Sequence, residues 1–343
     1  MSALVDAQRG GTDIPTLYIE SEAAARNSII INQLLLSNSS LESSNRKGPV
    51  CSFPFQFILL LDRSFRNLLR NKELQFTRFS VAIFIAVLLG LLYGNVNYNS
   101  SFAGTQSIMG LLLGGLIFGS IIYLQSQLSS SFSLRQVFYR ERTAQFYHSI
   151  SFSFATLFAT LPFVIITSFI FSTIFYFMAG LRPTASSWLF NSLAFCIAAI
   201  FYSSLGFAFC AISPTPQVAQ VLGGLSVSLL GLSAGLFIPV NVMPKGWIGL
   251  MYACPPFHLL RSTINNQFYC EYEIESTNCP KISLPTTGQE RELFQFEYVA
   301  SYFNLKGFQG RYLFGEIGYA SLGILFVSCV YVVANAFVKF EKR

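Results

Sequence analysis

Charge is scarce in this sequence. Asp, Glu, Lys and Arg make up 11% of its 343 residues, where soluble domains carry roughly 25%. The shortage is also uneven. The 56 residues between Arg78 and Arg135 hold none of the four, nor do the 62 between Arg182 and Lys245. A fold with water on all sides is excluded, because enough polar surface must remain to cover it. Other absences narrow the function. No G-x-x-x-x-G-K-[ST] loop occurs, so the chain has no ordinary means of cradling ATP phosphates and is not expected to be an enzyme by itself. Only two histidines are present, His148 and His258, and each stands alone. Neither a catalytic constellation nor a metal site is expected. Seven cysteines are scattered without a C-x-x-C pair, which removes zinc and thiol-redox motifs. The stretch Met1 to Arg9 has no apolar core and does not read as a signal peptide. The net charge of +6 is spread over loops rather than gathered in a patch, so no nucleic-acid partner is expected.

What is abundant is apolar: 52% of residues, with 36 Phe. A spanning helix needs about 20 apolar residues, so each charge-free stretch holds two spans and a turn. The reading is an all-α polytopic membrane protein with six transmembrane helices. They cover about Phe79–Tyr93, Gly104–Leu128, Ile150–Gly180, Trp188–Ile212, Val218–Ile238 and Ile317–Val338. Breaks fall at the Asn/Ser-rich run 95–101, at Arg182-Pro183 and at Ser213-Pro-Thr-Pro216. Pro162 is expected to kink the third span. Residues 1–50, Ser- and Asn-rich with Tyr18 as their one aromatic, read as a polar cytosolic linker or tail, and 51–343 as the membrane domain. With six spans both termini share a side. That side carries fifteen Lys and Arg against seven on the other, which makes the termini cytosolic and the 239–311 segment extracellular.

Several motifs admit two readings. Phe57, Leu61, Phe65 and Leu68 recur at helical spacing opposite Arg63, Arg66 and Arg70. This predicts an amphipathic helix in the membrane interface with its arginines toward headgroups, the alternative being a plain basic flank. In Leu134-Arg-Gln-Val-Phe-Tyr-Arg-Glu-Arg142, Arg140, Glu141 and Arg142 offer both signs for docking a soluble partner. A basic loop that only sets topology is the other reading. Phe118, Ile122 and Gln125 share one face of span two, and Val221, Leu225, Ser228, Leu232 and Leu236 one face of span five. Those faces line a pathway for an apolar substrate, or they are packing stripes. The pairs Gly90/Gly94, Gly110/Gly114, Gly115/Gly119 and Gly231/Gly235 predict close helix packing. Cys270 and Cys279 lie in the extracellular segment, where a disulfide is plausible. Cys51, Cys196, Cys210, Cys254 and Cys329 read as inert. Asn99 is the one non-cytosolic glycosylation sequon, and it sits close to the membrane.

Three strings carry a resemblance. Ser64-Phe-Arg-Asn-Leu-Leu-Arg-Asn71 resembles the connecting helix before the first span of G-subfamily ABC transporters, the White and multidrug-resistance half-transporters and the pleiotropic drug transporters. Phe138-Tyr-Arg-Glu-Arg-Thr-Ala-Gln-Phe-Tyr147 resembles their first intracellular loop, and Tyr176-Phe-Met-Ala-Gly-Leu-Arg-Pro183 their end of span three. The similarity runs over about 51–340 in the same order. It implies six spans, an interfacial connecting helix and a partly helical extracellular region. It implies ATP-driven export of lipids, sterols or lipophilic xenobiotics by a dimer of such units at the plasma membrane. It also implies that the Glu141 loop contacts a nucleotide-binding domain, that Gly235-Leu236-Phe237 stands at a hydrophobic plug, and that Cys270 and Cys279 fall in a disulfide-bearing loop. ATP and Mg2+ then belong to the nucleotide-binding domain and no cofactor to this chain. In that family the nucleotide-binding domain precedes the spans. The expectation is a fragment whose 1–50 segment resembles the interdomain linker, or a chain that borrows its ATPase. A truncated regulatory subunit and a polysaccharide-export permease are the alternatives, and the long 239–311 segment argues against the permease.

Overall fold

The computed structural model describes residues 22–37, 51–94, 101–238, 240–268, 281–284, 291–303 and 310–338. It divides into a unit over Met1–Val50 and a second over Cys51–Arg343. In the first unit, α1 (Glu22–Ser37) is helical where the sequence reads as a linker. The run Glu-Ala-Ala-Ala-Arg is made of strong helix formers, and Arg26 pairs with Glu22 one turn back at 3.0 Å.

The second unit starts with α2 (Phe53–Arg70), opened by Ser52 with a proline in its first turn. Asn71 then serves two helices. Its N–H closes α2 on Asn67 O at 3.1 Å, while its side chain accepts the Leu74 N–H and so opens α3 (Lys72–Tyr93). Next come α4 (Phe102–Thr143), α5 (Ser149–Met178), α6 (Ala185–Ile212) and α7 (Pro216–Leu232). Beyond a 3-10 turn at Val240–Val242 follow α8 (Lys245–Ala253), α9 (Pro255–Phe268), β1 (Lys281–Leu284), β2 (Arg291–Phe294), α10 (Gln295–Phe303) and α11 (Gly310–Phe337). The centre of the bundle is α6, which packs on α4, α5, α7, α9 and α11. Its apolar window is 72% buried, against 28% for α3 and for α11 at the rim. Ala194, Ala198, Ala199, Ser203, Ser204 and Gly206 explain this position, since small side chains let neighbouring backbones come close.

The structure departs from the sequence expectations at several points. Among the described residues five helices are long and apolar enough to cross a membrane, where the sequence reading expects six spans. The fifth expected span reaches only from Pro216 to Leu232, about 25 Å by helical rise and short of the roughly 30 Å hydrocarbon core. It stops because Gly235 adopts a left-handed φ of +82°, with Phe257 packed against the place a side chain would occupy. Conversely, span two and the polar stretch after it form one unbroken helix of 42 residues, about 63 Å long. No Pro or Gly interrupts residues 120–143, so the helical ladder continues past the apolar segment. The third span is one helix, α5, with Pro162 inside it. One short hairpin accompanies the helices: β1 and β2 pair antiparallel, Lys281 opposite Phe294 and Leu284 opposite Arg291. Cys270, Cys279 and Asn99 lie outside the described residues.

The glycine pairs divide into used and unused. A Cβ at Gly115 would stand 2.9 Å from Phe175 Cζ and 3.1 Å from Phe195 Cζ, both rings being buried, whereas one at Gly110 would meet nothing within 4 Å. Gly115→Val should therefore lower the thermal stability of the purified chain by about 1–3 kcal/mol through overpacking. Gly110→Val on the same helix should leave the melting temperature unchanged.

Candidate functional site

Chemistry-bearing residues gather at the two ends of α4. At its C-terminal end, the Glu141 carboxylate takes up both terminal nitrogens of Arg63 on α2, with Nη2–Oε1 at 2.7 Å and Nη1–Oε2 at 2.9 Å. Tyr147 Oη donates to the same Oε2 at 2.7 Å. The geometry is a bidentate, charge-assisted pair. The Glu141 side chain is 18% exposed and that of Arg63 53%. The bound carboxylate holds the Arg63 guanidinium above its ordinary value. Burial, and then the same carboxylate, push the Tyr147 phenol up. Beneath the pair Phe138, Tyr147 and Phe152 stack, with Phe138 and Phe152 centroids 4.5 Å apart. Gln56 of α2 accepts the His148 N–H at 3.0 Å at the start of α5. The connecting helix, the end of α4 and the start of α5 are thus joined by named bonds.

This changes the role of the expected docking residues. Arg142 turns inward, its Nη1 donating to Asn335 O at 2.8 Å and its Nη2 to Ala336 O, at the end of α11. A cation there meets the negative end of that helix dipole. Arg135 does the same for α6, donating to Ser213 O at 2.6 Å and Cys210 O at 3.3 Å. Of Arg140, Glu141 and Arg142, only Arg140 is left exposed. Arg63 faces Glu141 rather than the headgroups, and Arg66 bonds Asp62 at 2.9 Å on the surface. On α2, Phe57 and Phe65 contact Phe158 and Phe163 of α5, and Leu60 and Leu68 are buried. Phe55, Ile58, Leu59 and Leu69 are exposed instead. A helix with apolar residues on two sides packs on protein with one and keeps the other for its surroundings.

Among the pathway residues, Phe118, Gln125, Leu225, Ser228 and Leu232 are exposed, and Ile122 is buried in the main core. The two helices that carry them are neighbours. Ile117 of α4 packs toward Gly231, and Leu124 and Leu128 toward Gly223, on the opposite side of α7 from its exposed residues. On α4, half-exposed Ser107, Gly110 and Gly114 extend the face of Phe118 and Gln125. The two expected gate residues diverge. Leu236 packs against the core and its carbonyl accepts the Tyr302 hydroxyl of α10, while Phe237 is 62% exposed.

Two features have no pointer in sequence spacing. His258, alone in the sequence, contacts Glu316 through Nδ1, and Arg261 meets the other oxygen of Glu316 at 3.1 Å. The second imidazole nitrogen lies 2.8 Å from Tyr252 O. This cluster ties α9 to the start of α11. The other is Arg78, which in the sequence only marks the start of a charge-free stretch. It is the seventh residue of α3 and is 2% exposed. Among the described residues no three His, Cys, Asp or Glu side chains converge as metal ligands would.

The Arg63–Glu141 pair is testable in the chain alone. A double-mutant cycle of Arg63→Met and Glu141→Gln, read by thermal unfolding in detergent, should give a favourable coupling of about 1 kcal/mol. Arg66→Met with Asp62→Asn, the surface pair, should give a coupling near zero.

Residues 55–268 match the ABC-2 type transporter family. The chain is similar to ABC transporter G family member 2 of Dictyostelium discoideum, 27% identical over 236 residues, covering 68% of this chain and 18% of that protein. Member 22 of the same organism is 26% identical over 231 residues, covering 67% of this chain and 36% of that protein. ABC transporter G family member 42 of Oryza sativa subsp. japonica is 24% identical over 348 residues, 100% of this chain and 22% of that protein. The chain thus spans well under half the length of these relatives. With more than half of its residues inside the matched region, the chain belongs to the ABC-2 type transporter family, as a membrane domain related to the G-family ABC transporters.

Proposed function

We propose that this membrane domain is the transmembrane half of an ATP-driven exporter of lipids, sterols or lipophilic xenobiotics. It works as a dimer, with nucleotide-binding domains that hold ATP and Mg2+. The observation that carries this reading is the single helix α4. Its apolar half bears the exposed face of Phe118 and Gln125, and about 20 residues further on it ends in the Arg63–Glu141 clamp. A rigid element that reaches from a membrane face to a charged cluster can pass motion between them. In this reading α7 also spans, as the fifth of six, both termini are cytosolic, and the membrane is the plasma membrane. The nucleotide-binding domain rests on the end of the bundle that carries α2 and Arg140. The second protomer meets the open side of α4 and α7, so that Phe118, Gln125, Leu225, Ser228 and Leu232 line a shared cavity, with Ile122 supporting them from behind. Leu236 and Phe237 close the cavity above, and Cys270 and Cys279 form a disulfide in the outer segment. A flat apolar substrate is held there by area burial, at about 25 cal/mol per Å².

The test is substrate flux and ATPase rate on one reconstituted dimer with nucleotide-binding domains supplied. Ser228→Phe should abolish flux, because Ser228 is exposed and the ring fills the cavity without disturbing the fold. Ile166→Phe, on an exposed site of α5, should change nothing. Equal effects at the two sites would refute the pathway.

Glu141→Arg should lower flux roughly two- to thirtyfold, the span of a coupling change of about 0.5–2 kcal/mol. The exchange Arg63→Glu with Glu141→Arg separates two causes. Recovery of flux means the internal clamp is what matters, and persistent loss means that Glu141 also meets the nucleotide-binding domain.

A further inference from the structure

Arg78 is a charge without a counter-charge. Its Nε donates to Ser126 Oγ of α4 at 2.8 Å, and its Nη1 is buried with no hydrogen-bond partner. Among the described residues no carboxylate forms an ion pair with it. A buried guanidinium left in this state is costly, and ionisable side chains inside membrane helices mark ligand sites more often than packing. The residue lines a cleft of about 320 Å³ between α3 and α4, roughly ten times the volume of a water molecule. No acidic side chain lines it, so the cleft's one charge is positive and its chemistry suits an anion.

Other donors in the cleft narrow the anion further. Thr77 and Ser129 spend their hydroxyl hydrogens on the backbone carbonyls of Glu73 and Gln125. Ser126 accepts from Arg78, which leaves its own hydrogen free to donate outward. A guanidinium with an adjacent hydroxyl donor suits the oxygens of a phosphate. Arg78 also lies near the start of an apolar helix, about 9 Å along α3 from Lys72. Beyond it the cleft turns apolar at Val81 and Ile122. From Val81 an exposed stripe of Phe84, Leu88 and Leu91 continues along α3, at the spacing of a single helix face. Polar donors at one end and an open hydrocarbon track at the other describe the site of an amphiphile.

We propose that the cleft between α3 and α4 binds the phosphate of an anionic membrane lipid, with Arg78 as its counter-charge and an acyl chain along Val81, Phe84 and Leu88. Ile122 and Gln125 of the proposed pathway also line the cleft. Binding of this kind still needs neither nucleotide nor a transport cycle, so its test fails or succeeds independently of flux. The full chain would be purified in detergent with equal amounts of phosphatidylglycerol and phosphatidylcholine, and retained lipid counted by native mass spectrometry. The wild type should keep phosphatidylglycerol over phosphatidylcholine by about fivefold or more. Arg78→Gln should bring the ratio to one, Arg78→Lys should keep part of the preference, and Val81→Trp should remove it by filling the cleft. Unfolding temperatures taken alongside confirm that the variants compared are folded. A preference that survives both Arg78→Gln and Val81→Trp overturns the site. Release of the lipid by millimolar inorganic phosphate overturns the lipid as ligand and leaves a site for free anions.

Discussion

Helix ends near the hydrocarbon boundary have to be closed from within the protein, because lipid offers them no hydrogen bond. Much of this architecture follows from how the chain meets that constraint. Arg135 closes α6 and Arg142 closes α11, and both are on α4. Gln56 covers the start of α5 from α2, Asn71 joins α2 to α3, and Tyr176 donates to Arg182 O just beyond α5. Each closure is a long-range or turn-spanning bond, so the ends of separate helices are held in register with one another. The helices could not slide independently without exposing carbonyls that have no other partner.

The same bonds explain why α4 is long. Its last four turns carry Arg135, Phe138, Glu141 and Arg142, which reach α6, α5, α2 and α11 in turn. A flexible loop would offer the same residues at a larger ordering cost, since each backbone residue fixed costs roughly 1–2 kcal/mol. Helical continuation from the apolar segment fixes them as part of an element that already exists. The charges at this end therefore act first as internal fastenings. Whatever they contribute to a soluble partner is added to that role, and Arg140 is the member of the group left exposed for it.

Two buried arginines show how differently the fold treats charge. Arg261 sits over the Phe257 ring and bonds Glu316, which His258 approaches from the other side. That cluster is close to self-neutralising, and it fastens α9 to the start of α11. Arg78 bonds Ser126 through Nε and keeps Nη1 buried without a hydrogen bond. The contrast lies in the supply of carboxylates. None occurs among residues 79–134 or 183–244, so the stretch of α4 beside Arg78 offers it none, and Glu141, further along that helix, is taken up by Arg63.

Composition and periodicity alone determined that this chain is helical, that it belongs in a membrane, and where four of its long helices run. Desolvation dictates those features residue by residue, and they need no partner to be legible. The strings around Ser64–Asn71 and Phe138–Tyr147 were likewise enough to suggest its relatives. Tertiary structure decided the rest. What residues 129–143 are fastened to was decided by bonds to α2, α6 and α11, which lie as far as 196 positions away. The length of α7 was set by Gly235 meeting Phe257, and the burial of Ile122 beside exposed Phe118 by the approach of α3. The partner of Glu141 on α2 and the lack of one for Arg78 were invisible for the same reason. A side chain's charge is written in the sequence, but what neutralises it depends on which helices come within about 4 Å, and only packing fixes that.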